Sequence, residues 1–238
     1  MAFIMKVLVI NGSPRNENSN TLVITRAFLE GAEWADAEII DVSKLNVKNC
    51  IGCFGCWHKT PGECVISDDM RDILPKLVEA DVVIWSFPLY YYSVPGGLKT
   101  FFDRQLPLAL PDMVAGSETG DHPSRYDLSH QRHIVISTCG FWTHKGNYDG
   151  VIAMFKRMGI DTFIFCGQGE LFPFLSMKEL PADLPIDSEQ VEGLKMLLND
   201  YLAIVRKAGK EYSGGEINAE TYAELEKPIL SQEMYEQQ

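Results

Sequence analysis

The chain has 238 residues, a length that suits one large α/β domain better than two. Apolar residues make up 46% of it, enough for a sizeable core, and the formal charge of −12 disfavours nucleic acid or an anionic membrane as a partner. Segment 1–10 is interrupted by Lys6 and lacks a small-residue cleavage site, and no run reaches the roughly 18 apolar residues of a membrane span. We therefore expect a cytoplasmic protein.

Strand-like apolar runs alternate with helical patterns along the chain. The predicted strands are 6–10, 38–41, 81–86, 133–138 and 161–166. The predicted helices are 21–33, 68–79, 97–104, 148–158 and 188–208. This alternation predicts a parallel sheet covered by helices on both faces.

The first predicted strand leads into a turn rich in polar side chains, 11–15, and then into a helix that begins near Thr21. Free N–H groups and the positive end of the helix dipole make such a position suitable for a dianion. The segment has neither the Gly-Lys-Ser/Thr of a nucleotide triphosphate loop nor the three-glycine dinucleotide fingerprint, so a single terminal phosphate fits better. An ordinary turn capped by Ser19 or Asn20 is the alternative.

Two further loops follow strands at the same predicted edge, where open parallel sheets bind ligands. Segment 87–97 contains three tyrosines between stiffening prolines, which suits either a planar ring or an aromatic contact between subunits. In segment 138–148, Gly140 permits close backbone approach, and Phe141 with Trp142 suits a flat heteroaromatic. His144 and Lys145 are candidates for contact with an anion, although plain surface is the commoner role of such a pair.

Four of the six cysteines fall in the loop 49–64, at Cys50, Cys53, Cys56 and Cys64. Three thiolates within seven residues resemble a ferredoxin-type run, whereas structural zinc usually uses two separated pairs. Iron–sulfur therefore ranks above zinc. The spacer 57–63 before the last cysteine is long and contains a bulky tryptophan, so the alternative of thiols without a metal stays open. The remaining two cysteines, Cys139 and Cys166, are expected in the core.

Two segments lie outside the alternating pattern. The insertion 105–130 contains three prolines and is too long for an ordinary connection, which indicates a lid, a binding loop or an oligomer contact. We assign 1–210 to one domain and 211–238 to a tail, in which a short amphipathic helix before Pro228 is a candidate for packing on a neighbouring subunit.

An ordered set of motifs covers about residues 5 to 166 and resembles the flavodoxin-like NAD(P)H-dependent FMN reductases, closest to their iron–sulfur flavoprotein branch. These motifs are Gly-Ser-Pro-Arg at 12–15, Ser-Asn-Thr at 19–21, the cysteine run 50–56 with Cys64, Asp-Asp-Met at 68–70, Ser-Phe-Pro-Leu-Tyr at 86–90 and Gly-Leu-Lys-Thr-Phe-Phe-Asp-Arg at 97–104. The resemblance implies a flavodoxin-like three-layer sandwich with a five-stranded parallel sheet in the order 2-1-3-4-5. It also implies a homodimer or homotetramer.

The resemblance implies FMN as cofactor, NAD(P)H as co-substrate and a possible [4Fe-4S] cluster on the four cysteines. The implied FMN-binding residues are Ser13, Arg15, Ser19, Asn20 and Thr21 for the phosphate, Pro88, Leu89, Tyr90 and Tyr91 for the ribityl chain and ring, and Thr138, Cys139, Gly140 and Phe141 for the isoalloxazine. No side chain is nominated as a catalytic acid or base, because the flavin carries the chemistry. The implied function is electron transfer from NAD(P)H or a reduced protein donor to a quinone, nitro or other small acceptor. An electron carrier without small-molecule turnover is the first alternative, and a non-redox interaction module is the last.

Overall fold

The structure is a computed structural model that describes residues 5–118, 120–178 and 187–236. A five-stranded sheet forms its centre, with the strand order β2-β1-β3-β4-β5 and every neighbouring pair parallel. The strands are β1 Val7–Asn11, β2 Glu38–Asp41, β3 Val82–Pro88, β4 Arg132–Thr138 and β5 Phe163–Cys166. The predicted fold class and strand order are confirmed.

Eight α-helices are present in the described residues. They are α1 Asn20–Gly31, α2 Gly55–His58, α3 Met70–Glu79, α4 Gly96–Asp103, α5 Asp149–Arg157, α6 Ser188–Gly214, α7 Ala219–Leu225 and α8 Gln232–Glu236. The predicted helices begin and end within a few residues of these bounds, except that α6 continues past the predicted end at 208. It continues because Ala208, Gly209 and Tyr212 extend its buried face.

Two apolar layers cover the sheet, because the central strands carry buried side chains on both faces. On one face, α1 and α6 pack closely against each other. A Cβ atom added to Gly209 of α6 would lie 2.1 Å from the carbonyl oxygen of Phe28, so only glycine allows this approach. The other face is covered by α3, α4 and α5 through residues such as Leu74, Leu98 and Phe155.

The tail packs on its own chain. The domain boundary predicted at 210 falls inside α6, and Leu225 of α7 and Leu230 belong to the main core cluster. The apolar face of the short helix is thus buried within the chain, where sequence reasoning considered a neighbouring subunit. The side-chain amide of Gln168, a residue only 1% exposed, accepts from the N–H of Leu230 at 2.8 Å and donates to its carbonyl oxygen at 2.9 Å.

The insertion 105–130 packs on the cysteine loop 49–64. The indole N–H of Trp57 donates to the carbonyl oxygen of Leu106 at 3.2 Å, and the same ring lies 4.9 Å from the His122 ring. Within the insertion, Ala109 and Ser124 form an antiparallel bridge.

In the described part of the chain, no helix is both long and apolar enough to cross a bilayer.

Candidate functional site

A cavity of about 190 Å³ lies at the carboxyl ends of β1, β3 and β4, where the strand order reverses. Thirteen residues line it: Ser13, Arg15, Ser19, Asn20, Thr21, Pro88, Leu89, Tyr90, Thr138, Cys139, Gly140, Gly169 and Glu170. The structure therefore brings the three predicted loops together, including every predicted phosphate-end residue. We call this space the edge cavity.

One end of the edge cavity is the beginning of α1. Ser19 caps the helix by accepting a hydrogen bond from the N–H of Leu22. The N–H groups of Asn20 and Thr21 make no hydrogen bond within the described residues, so they remain free as donors. The turn before the helix is fixed by Asn11, whose side-chain oxygen accepts from the N–H of Ser13. The result is a helix end with available donors facing a polar pocket.

Buried hydroxyl groups form the floor of the edge cavity. The hydroxyls of Thr21 and Thr138 lie 2.6 Å apart and join α1 to β4. Asn20 donates its side-chain N–H to the carbonyl oxygen of Gly169 at 2.7 Å, which ties the helix end to the loop after β5. Thr21 and Thr138 are 0% and 3% exposed. This network fixes the beginning of α1 relative to the end of β4 and to the loop after β5.

Two predicted residues, Tyr91 and Phe141, do not line the cavity. Tyr91 and Tyr92 occupy the centre of a tight turn closed by the Tyr90–Ser93 bridge, with φ angles of 49° and 60°. Both side chains are exposed in this turn, Tyr91 to 97% and Tyr92 to 55%. Phe141 stacks on Tyr92 with ring centroids 5.8 Å apart. The aromatic surface thus lies beside the mouth of the cavity.

Sequence reasoning missed Gly169 and Glu170, which follow β5 and line the cavity. It also missed Tyr235 of α8, whose hydroxyl oxygen lies 2.8 Å from the carbonyl oxygen of Gly140 and 2.5 Å from Glu170 Oε1. The Gly-Gln-Gly-Glu run at 167–170 was an available signal, because it too ends a parallel strand at the same edge. Nothing in the sequence linked the tail to this edge.

The candidate anion contacts His144 and Lys145 lie elsewhere. They line a second cavity, between α5, β5 and α7, and Lys145 is 3.5 Å from Glu226. Burial lowers the pKa of His144, which favours its neutral form. These two side chains therefore do not line the edge cavity, and an anion that they contacted would lie at the second cavity.

Comparison with known proteins identifies the family. Residues 5–123 match the family described as NADPH-dependent FMN reductase, which is half of the chain. The chain belongs to the NADPH-dependent FMN reductase family. The resemblance on which the sequence interpretation depended is thus confirmed.

Among curated relatives of this FMN reductase family member, an iron–sulfur flavoprotein of Methanocaldococcus jannaschii is 40% identical over 107 residues, or 44% of this chain and 54% of that protein. The chain spans about half the length of the curated relatives it matches.

Solved structures resemble the chain in fold. An NAD(P)H:quinone oxidoreductase from Methanothermobacter marburgensis has a TM-score of 0.57 at 17% identity, covering 88% of this chain and 96% of that one. A FMN-dependent NADH-azoreductase from Bacillus anthracis, solved in complex with FMN, has a TM-score of 0.53 at 19% identity, covering 90% and 100%.

The cysteine loop of this family member gathers its four thiols without disulfides. Cys50 and Cys53 are exposed, Cys64 is half-buried and Cys56 is buried. Burial raises the pKa of the Cys56 thiol, and the neighbouring Cys64, Cys50 and Cys53 raise it further. Within the described residues, no three metal-binding side chains surround a position for a single ion. The arrangement is thus an open loop of thiols and not a preformed tetrahedral zinc site.

A buried ion pair supports this loop. Arg104, directly after α4, is 1% exposed and donates to both carboxylate oxygens of Asp68 at 2.5 and 2.9 Å. Asp68 also accepts from the N–H groups of Lys48 and Met70, which flank the loop. Burial would raise the pKa of Asp68, but these hydrogen bonds and the Arg104 charge lower it overall.

Proposed function

We propose that this protein is a FMN-dependent oxidoreductase that takes electrons from NAD(P)H or a reduced protein donor and passes them to a small acceptor such as a quinone or nitro compound. The observation that carries the proposal is the edge cavity, which is lined by the beginning of α1 with its free N–H groups and by the Tyr90 and Gly140 loops. Family membership supports the same cofactor.

The residues present fit a flavin monophosphate. A terminal phosphate would be held by the free N–H groups of Asn20 and Thr21 and by the hydroxyls of Ser13 and Ser19, with Arg15 at the exposed mouth. The absence of a lysine from this lining agrees with a single phosphate and not a polyphosphate.

The loops that follow β3 and β4 fit the planar part of the cofactor. Pro88, Leu89 and Tyr90 offer an apolar wall, and Gly140 presents backbone without a side chain. When bound, FMN supplies two-electron chemistry with a nicotinamide. The protein's contribution is to orient the partners and exclude water. Burial raises the pKa of the Cys139 thiol, so this residue stays protonated and is not proposed as a nucleophile.

A second cofactor, an iron–sulfur cluster, fits the cysteine loop. The donor set is four thiols on one loop, and the buried Nε–H of the adjacent Arg104 makes no hydrogen bond within the described residues. Cys64 lies next to this guanidinium. Thiolate ligands with a nearby unpaired donor are typical of iron–sulfur sites, because hydrogen bonds to sulfur and positive charge stabilise the reduced cluster. The relatives called iron–sulfur flavoproteins support this assignment.

An electron carrier is the second candidate function, and the exposed thiols favour it. Cys50 and Cys53 lie at the surface, where a redox partner would have direct access to a cluster. The charge of −12 would then steer a basic partner protein.

We also propose a cytoplasmic location and a homodimer or homotetramer, in which the aromatic surface beside the cavity mouth is available for contact.

The test is a titration of the purified protein with FMN, followed by anaerobic reduction with NADH and NADPH and turnover with ferricyanide and a soluble quinone. We expect tight FMN binding and steady oxidation of either NADH or NADPH. Flavin binding without steady turnover would favour the carrier. Failure to bind FMN at micromolar concentration would contradict both.

A further inference from the structure

The edge cavity contains one carboxylate, that of Glu170, and it is held by the tail of the chain. Glu170 Oε1 and the carbonyl oxygen of Gly140 lie 2.5 and 2.8 Å from the Tyr235 hydroxyl oxygen. The hydroxyl has a single proton, and the shorter distance and the negative charge of the carboxylate favour donation to Glu170. A Cβ atom added to Gly140 would lie 3.6 Å from Glu170 Oε2, so the carboxylate adjoins the loop proposed to face the flavin ring. Glu170 and Tyr235 both lie outside the segment 5–123 that matches the family.

The tail is fixed well enough to hold this contact. Gln168, two residues before Glu170, binds both the N–H and the carbonyl oxygen of Leu230. Leu230 is 3% exposed, and α8 follows directly after it. Burial and the hydrogen bond with Glu170 both raise the pKa of Tyr235, so its hydroxyl stays protonated and donates.

We propose that Glu170 lowers the midpoint potential of the bound flavin and that Tyr235, by donating a hydrogen bond to Glu170, limits this effect. The inference rests on the proposed function, since it requires FMN in the edge cavity. Two-electron reduction with uptake of one proton adds a negative charge to the flavin, and a neighbouring carboxylate disfavours that charge. A hydrogen bond to the carboxylate withdraws part of its negative charge and weakens the repulsion.

The experiment measures the midpoint potential of the FMN-loaded protein by anaerobic titration with a redox dye, together with the dissociation constants of oxidised and reduced FMN. Glu170→Gln keeps an acceptor for Tyr235 but removes the charge. We expect it to raise the potential and to tighten reduced FMN relative to oxidised FMN by about tenfold, which corresponds to about 30 mV for a two-electron couple. Tyr235→Phe removes the donor, and we expect a smaller shift in the opposite direction.

Glu226→Gln and Tyr222→Phe serve as matched controls, because they make the same chemical changes on or just after α7, away from the edge cavity. Neither should move the potential. Loss of FMN affinity in both test variants without opposite shifts in potential would show that the pair is only structural and would overturn the inference. An unchanged potential in Glu170→Gln would overturn it as well. A wild-type protein that binds no FMN would refute the proposed function and this inference together.

Discussion

The edge cavity and the cysteine loop differ in how far the fold itself shapes them. Strand ends and a helix N-terminus position the edge cavity, and its hydroxyls already bond one another, as Thr21 and Thr138 do. The cysteine loop contains one short helix, α2, and exposes Cys50 and Cys53. Regular secondary structure therefore preorganises the edge cavity. The shape of the cysteine loop depends instead on a few long-range contacts, such as the Asp68–Arg104 pair, and on the ligand that its thiols bind.

The largest expected effect concerns the iron–sulfur cluster proposed for the cysteine loop. Cys53→Ala removes one thiol of the open loop, and we expect loss of the cluster with retention of FMN. Iron and sulfide analysis of anaerobically purified protein, with the visible spectrum, measures this. Cys166→Ala, which removes a core thiol far from the loop, is the control and should keep its iron. Equal iron in both variants would exclude Cys53 as a ligand.

The next effect tests the anchor of the cysteine loop. Asp68→Asn leaves the buried Arg104 charge without its partner, and we expect a loss of about 3–5 kcal/mol in the free energy of unfolding. Urea denaturation measures this. Asp103→Asn breaks the exposed pair with Lys99 and should cost about 0–1 kcal/mol. Similar losses in both variants would contradict the assigned role of the buried pair.

The same pair predicts a dependence on pH. The folded-state pKa of Asp68 is lowered, so its stabilisation is complete above the unfolded pKa of about 3.9. That stabilisation is lost as the pH falls through the folded pKa. Between pH 7 and acid pH, the wild type should therefore lose more stability than Asp68→Asn. Parallel pH profiles for the two proteins would disprove this linkage.

A smaller effect tests the edge cavity. Ser13→Ala combined with Thr21→Ala removes two hydroxyls from the phosphate end, where a hydrogen bond to a charged group contributes about 1.5–3 kcal/mol. We expect the dissociation constant of FMN to rise about a hundredfold. Fluorescence titration measures it, and Ser43→Ala, which lies outside the cavity, is the control. Unchanged affinity in the double variant would mean that the phosphate is held elsewhere.

The smallest effect tests the contact between the insertion and the cysteine loop. Trp57→Phe keeps the ring but loses the hydrogen bond to Leu106, and we expect a cost of about 0.5–1.5 kcal/mol in local stability. Hydrogen exchange across 105–130 should accelerate accordingly. Trp142→Phe is the control, since the Trp142 indole N–H makes no hydrogen bond within the described residues. Unchanged exchange would show that the insertion is held without this hydrogen bond, by contacts such as the ring contact with His122 and the Arg157–Asp121 pair.

Local patterns carried the prediction of the fold and of most of the edge cavity. Alternation of strands and helices led to the sheet, and the polar turn before α1 led to Ser13, Ser19 and Thr21. The sequence did not predict that Tyr91 lies outside the lining of the cavity, because its position depends on a left-handed turn for which tyrosine is not a typical residue. The pairing of Arg104 with Asp68 was not predicted, because the two residues lie far apart in the chain.

The sequence by itself therefore determined that the loops after β1, β3 and β4 line the edge cavity, because a residue's place after a strand is a local property. Only the tertiary structure decided that Glu170 and the distant Tyr235 meet at Gly140, that Trp57 holds the insertion and that Asp68 and Arg104 share one buried site. These are contacts between residues far apart in the chain, and packing selects them only after the sheet has formed.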